Sequence, residues 1–231
     1  MRKFIAGALI LGITVAAGFP GSYRGGKDKG LEAKIVYEIV YEELPEMFEP
    51  YAAMLPKEMI SYVKGPKVRV EQSIMGVTTV SVSDSEKKTG FMLMDQFGTK
   101  TAYTIDSKDM EKESADASKD YDVTYTEESK EIAGYKCKKV EIKSKTDGTI
   151  TYAWLTEEIK GSNKQYPFLK GFALEYSVHN DNGMTIAMKV KSLEKMKVPN
   201  EYFEIPKEYT KKTMADFQKE MEKMQGGGGD E

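Results

Sequence analysis

One histidine and one cysteine are all that this chain of 231 residues offers to the commonest nucleophilic and metal chemistries. A Ser-His-Asp or Cys-His relay would have to pass through His179. That residue stands immediately before the turn sequence Asn180-Asp181-Asn182-Gly183, which predicts an exposed ring rather than a catalytic one. No G-x-S-x-G elbow presents a serine. Cys137 belongs to a different, alternating segment and reads as a small buried strand residue that cannot form an internal disulfide. A zinc site of His and Cys ligands needs more of both than the chain contains. Residues 180–183 have the types of a calcium loop but lack the spaced ligands and the closing glutamate, so turn chemistry accounts for them. The glycine runs, Gly25-Gly26 and Gly226 to Gly229, lie near the ends and open no phosphate-cradling helix. Carboxylates number 37, yet no pair stands out for acid–base work. The expectation is a protein that is not an enzyme and uses no metal or cofactor.

Methionine is the unusual component, with 14 in the chain. Met92, Met94, Met184, Met188, Met214 and Met221 fall on predicted apolar faces. Methionine is flexible and polarisable, so it either fills irregular gaps in a core or lines a cavity for variable apolar ligands. The second reading gives a candidate pocket of Met92, Met94, Tyr176, Met188 and Phe217, with a lipid or acyl chain as the expected partner. The alternative is a structural or protein-interaction module with a filled core.

The element that must position these residues is Phe172 to Val190. Phe172, Leu174, Tyr176 and Val178 alternate with small or polar residues, as do Met184, Ile186, Met188 and Val190. Period two on both sides of a turn cluster predicts an antiparallel hairpin. Residues directly opposite share a face, so both series face one core only if paired numbers have an even sum. A three-residue loop, Asp181-Asn182-Gly183, meets this by pairing Tyr176 with Met188 and Val178 with Ile186, with Gly183 in the left-handed region.

Short alternating runs bounded by turns occur over 31–41, 58–64, 67–74, 77–84, 91–95, 100–105, 121–126, 131–143 and 149–155. Phe91 to Asp95 and the first run are apolar on both sides. In 131–143, Tyr135 and Cys137 are out of phase with Val140 and Ile142, which predicts a β-bulge near Lys138-Lys139. Residues 47–55 have helical spacing and read as a short helix, either packing a sheet end or forming a mobile lid. Met214, Phe217, Met221 and Met224 predict a C-terminal helix near 214–224, opened by Thr213 with Asp216 three later. The charged stretch 106–120 reads as an exposed excursion. The fold class is α+β, mostly β: a curved antiparallel sheet, an unclosed half-barrel, with both helices on its concave face.

Residues 1–17 read as a signal peptide: Arg2-Lys3, then an apolar run from Phe4 to Val15, then Val15-Ala16-Ala17. The run is too short for an integral membrane segment, which needs about 20 residues, and no lipid-anchor cysteine follows it. An exported protein, periplasmic or secreted, is expected. Residues 18–30 read as a flexible leader, 31–225 as a single antiparallel-sheet domain and 226–231 as a disordered tail. The formal net charge of −3, without an arginine-rich run or basic helix face, argues against nucleic acid.

Four blocks carry a family resemblance: GFMLMDQFGTKTAY (Gly90 to Tyr103), IAGYKCKKVEI (Ile132 to Ile142), PFLKGFALEY (Pro167 to Tyr176) and FEIPKEYTKKTMADFQKEM (Phe203 to Met221). Together they resemble an exported bacterial family, domain of unknown function 4412, over roughly Leu31 to Met224. The resemblance implies no reaction and no catalytic residues. It implies an architecture similar to the Lol-type lipoprotein carriers, a curved sheet around helices with an apolar interior for acyl chains.

Overall fold

The computed structural model describes residues 30–74, 76–84, 86–108, 119–159, 169–180 and 182–226. The expected signal segment, nearly all of the leader and tail, and most of the 106–120 excursion lie outside the described residues. The described strands are β1 (Glu32–Glu43), β2 (Glu58–Lys64), β3 (Lys67–Ile74), β4 (Val77–Asp84), β5 (Thr89–Gln96), β6 (Thr99–Ile105), β7 (Tyr121–Ile132), β8 (Tyr135–Ser144), β9 (Ile150–Thr156), β10 (Phe172–His179), β11 (Thr185–Lys195) and β12 (Thr210–Thr213). They form one sheet in the order β12-β6-β5-β4-β3-β2-β1-β11-β10-β9-β8-β7. β12 and β7 are its two ends, so the sheet does not close. Every pairing is antiparallel except β12 with β6. Two runs of hairpins, β2 to β6 and β7 to β11, are therefore joined through β1, which pairs with β2 on one edge and β11 on the other.

Period-two alternation gives the sheet two distinct surfaces, and the register sorts them. Ile35, Ser61, Val70, Ser81, Met92 and Tyr103 are successive partners from β1 to β6. Ile39, Met188, Tyr176 and Ala153 continue the same side through β11, β10 and β9. This is the helix-bearing face. Residues 46–54 form a 3-10 helix rather than the expected α-helix (Glu46–Met54), because Pro50 removes a donor from its middle. Its Phe48, with Leu55 just beyond, is buried among Ile35, Tyr37, Met59, Tyr176 and Met188. At the other end of the same face, α1 (Met214–Gly226) sets Phe217 edge-on to Tyr103, ring centroids 4.9 Å apart. The expected cap opens α1: the Asp216 N–H donates to Thr213 Oγ1 at 3.2 Å, and the Thr213 N–H donates to Asp216 Oδ2 at 3.0 Å.

The opposite, strap-bearing face has its own cluster: Val80, Val82, Phe91, Leu93 and Ala102 of β4 to β6, covered by Val198 and Phe203. The cover is the segment 196–209, which leaves β11, crosses β1 to β6 and ends in β12. It contains a single 3-10 turn (Asn200–Phe203). Polar groups fasten it to β1, β2, β3 and β6, while over β4 and β5 its cover is apolar. The Val198 N–H donates to Glu32 Oε1 and Lys64 Nζ donates to the Val198 carbonyl, both at 2.6 Å. The Arg69 guanidinium donates to the Tyr202 carbonyl at 2.9 Å and lies over its ring. Tyr62 meets Tyr202 edge-on at 4.9 Å, and Lys100 lies over Tyr209.

The central hairpin has the expected register, with Tyr176 opposite Met188, Val178 opposite Ile186, and Gly183 at φ 77°. Two sequence expectations change. Residues 131–143 are not one strand: a turn at Ala133-Gly134, both with positive φ, divides them between β7 and β8. An alanine in the left-handed region gives no sequence signal for such a turn. Cys137, Val140 and Ile142 are all buried as the parity reading requires. The register slip, however, lies in β7 between Tyr125 and Ser129, while β8 pairs with β9 without interruption. An edge strand has no further neighbour to stay in step with, so it absorbs the extra residues.

Candidate functional site

His179 is the natural first test. Its Nδ1 lies 2.8 Å from Thr185 Oγ1, and the Thr185 hydroxyl also donates to Glu43 Oε2. The residue types match a hydroxyl–imidazole–carboxylate triad, but the order does not. In a working relay the imidazole stands between the hydroxyl and the acid. Here the threonine stands in the middle and its proton is directed to the carboxylate, so Nδ1 serves as a donor to Oγ1. The cluster ties the end of β10 to β11 and β1, and its chemistry is that of a brace. Among the described residues no group of three or more His, Cys, Asp or Glu could hold a metal ion. Cys137 is buried, and that burial pushes its thiol up to about 11, far from a reactive thiolate.

The five apolar residues singled out from the sequence share the helix-bearing face. They do not share one cluster. Met92 and Met94 pack with Val77, Tyr103 and Phe217 beneath α1. Met188 and Tyr176, five and six strands further along the sheet, pack with Tyr37 and Phe48. Met188 is fully buried, and Tyr176 meets Tyr37 edge-on at 6.1 Å.

A pocket of about 430 Å³ opens on the strap-bearing face, which the sequence did not single out. Its floor is the end of three strands: Lys67 of β3, Val82 and Asp84 of β4, and Thr89 to Phe91 of β5. Its wall is the strap at Phe203, Glu204 and Ile205, with Lys211 of β12 and Lys87 of the β4–β5 turn at the rim. Val82 opposes Phe91 and Lys67 opposes Asp84 in the register, so the floor side chains lie on one surface. Phe203 is wedged between sheet and pocket, with Lys67 Nζ 5.7 Å from its ring centre. The Asp84 carboxylate accepts the Glu86 and Lys87 backbone N–H groups at 3.1 and 3.0 Å, which closes the turn. The arrangement is an open cleft with an apolar floor and several charged residues around it, and no hydrogen bond joins a hydroxyl to a base among its described lining residues. Its volume falls within the roughly 300–1,000 Å³ typical of small-ligand sites. Its cationic residues are far apart in sequence. The one legible trace of the strap was that Phe91 to Asp95 is apolar on both sides, which demands cover on both.

Comparison with known proteins gives three findings. A family model described as "Domain of unknown function (DUF4412)" matches residues 48–165, about half of the chain. No curated protein matches the sequence. Among solved structures, PNGF-II matches in two crystal forms, each with a TM-score of 0.55 and 15% identity over 84% of this chain. The match takes in 33% and 34% of the PNGF-II chain, so this chain spans about a third of its length. At that identity the likeness is one of fold. A LolA-superfamily protein from Nitrosomonas europaea, NE2245, matches at 8% identity and a TM-score of 0.20, over 88% of this chain and 97% of that one.

Proposed function

Because this chain belongs to the DUF4412 family, whose membership carries no reaction, we propose from geometry that it is a non-catalytic binding protein of the bacterial envelope. It is exported by its N-terminal segment and holds a small apolar ligand, a lipid or acyl chain, in the strap pocket. The observation that carries this reading is the pocket itself, an open cleft of about 430 Å³ with Val82 and Phe91 in its floor and Phe203 and Ile205 in its wall. An apolar cleft of that size favours an apolar guest at roughly 25 cal/mol per Å² removed from water. The brace around His179 supports a non-catalytic role, since its hydroxyl proton is already committed to Glu43.

The test is made on the full chain, expressed in a bacterial host and purified from the envelope fraction without detergent. The protein is extracted with organic solvent and the extract analysed by mass spectrometry. The expected result is one lipid class at near-equal stoichiometry, lost on Ile205→Arg while the fold is retained. A ligand-free, thermally stable protein overturns the reading. It would favour a second one, an envelope interaction module, which the complete packing of Met188, Tyr176 and Met92 on the helix-bearing face also supports.

A further inference from the structure

We propose that the strap pocket selects an amphiphilic anion, an alkyl body ending in a carboxylate or phosphate head. The inference rests on the pocket being the ligand site and adds the chemistry of the head. It comes from an accounting of cations along the strap. Lys64 pairs with Glu32 at 3.4 Å, Lys100 with Glu208 at 3.7 Å and Lys212 with Glu220 at 2.6 Å. The three lysines of the pocket, like Lys197 and Lys207 elsewhere on the strap, lack such a partner among the described residues, and these three line one cleft. Among the described residues, Lys87 and Lys211 make no ion pair, and Lys67 Nζ has only the Phe203 ring, although Asp84 is its cross-strand partner. The Asp84 carboxylate accepts two turn N–H groups through Oδ1, which holds it against the β4–β5 turn while it keeps its charge. Three lysines and two carboxylates, Asp84 and Glu204, thus line the cleft, a local excess of one positive charge. Ammonium groups recognise carboxylate and phosphate oxygens as point charges, and their attraction strengthens beside apolar walls that exclude water. The head therefore sits at the rim between Lys87 and Lys211, and the alkyl body runs inward over Phe91 and Phe203.

The probes are decanoate, decyl phosphate and decanol, titrated calorimetrically into the detergent-free full chain. The expected result is that both anions bind at least roughly tenfold more tightly than decanol and weaken as salt is raised. The triple variant Lys67→Gln, Lys87→Gln, Lys211→Gln should lose roughly tenfold or more for the anions and nothing for decanol. The same three positions as arginine should retain anion binding, and an unchanged urea midpoint excludes a folding defect. The ratio of decanoate to decyl phosphate affinity names the head. Equal binding of all three probes, or a glutamine variant that binds anions normally, overturns the anion selectivity and leaves the pocket in place. If no probe binds, the pocket reading falls with it.

Discussion

Replacing Phe203 with alanine tests whether the strap is held by burial. Phe203 is 9% exposed and packs with Val82, Phe91, Leu93 and Val198. Core Phe→Ala changes cost about 3–5 kcal/mol, combining lost transfer energy with a trapped void. One side of this ring is the pocket wall, so its removal enlarges an open cleft and traps little void. What remains is the transfer of the side chain, about 2–3 kcal/mol, and a partly exposed cation–π contact with Lys67, about 0.5 kcal/mol. The expected loss is about 3 kcal/mol. Urea unfolding followed by Trp154 fluorescence measures it, because the only tryptophan lies on the other half of the sheet, 4.2 Å beneath Lys130. Limited trypsin digestion in native buffer reports on the strap, which offers Lys197 and Lys207. The variant should be cut there first, with the sheet intact. A loss below about 1 kcal/mol together with unchanged trypsin resistance would refute the packing account of the strap.

Four further outcomes are expected. Cys137 should resist a thiol-specific aromatic disulfide at pH 8 in the native protein and react fully, one equivalent per chain, in denaturant, since burial raises its thiol to about 11. Ser83→Ala should raise the urea midpoint by the equivalent of about 1 kcal/mol, because the Ser83 hydroxyl is buried without a hydrogen-bond partner and alanine removes that unmet donor. The docking of the strap and of α1 should be acid-sensitive. The Val198 N–H, and then Lys64, hold the Glu32 carboxyl low, and Lys212 and Tyr103 do the same for Glu220. Carboxyls depressed in the folded state stabilise it above the unfolded carboxylate pKa of about 4. That contribution fades as pH falls through their folded values. Amide-exchange protection factors of the strap and α1 should therefore fall below about pH 4 before those of the central strands, and Glu220→Gln should shrink the acid step for α1 to the part set by Asp216, which Thr213 also holds low. At the alkaline end, burial and then Glu220 push Tyr103 up to about 12, so its contact weakens only as pH rises from about 10 towards that value.

The sheet was legible because its local rules agree. Alternation, turn residues and parity around Gly183 fix the face that Tyr176 and Met188 share; for Met92 and Met94, in a run apolar on both sides, parity left either face open, and only the register of β3 to β6 puts them on the same one. Parity assigns a face and says nothing about distance along the sheet, so it could not tell that the two pairs pack in separate clusters. The strap was not legible as an element. Residues 196–209 hold Pro199 and Pro206 and follow neither a period of two nor one of 3.6. Their order comes from the strands they cross. The pocket inherits that limit, since Lys67, Lys87, Phe203 and Lys211 meet only once the strap has crossed β3 to β6.

The position of β1 at the centre of the sheet bears on how the chain reaches its fold. During synthesis β1 emerges before the other described strands and can pair with β2 as soon as that follows, a local and fast event. Its other edge waits for β11; Glu43 and Thr185, bonded in the folded state, are 142 residues apart. Until then Ile35, Tyr37 and Ile39 lie along an open strand edge, the kind of template that recruits a second chain. The same strand carries Glu32, Glu38, Glu42 and Glu43, spaced through and beyond its apolar run. Like charges stacked across two such edges repel, so these glutamates act as gatekeepers for the interval before β11 arrives. Neutralising Glu38 and Glu42, which hold neither the strap nor the brace, should therefore reduce the yield of folded protein more than the stability of what has folded.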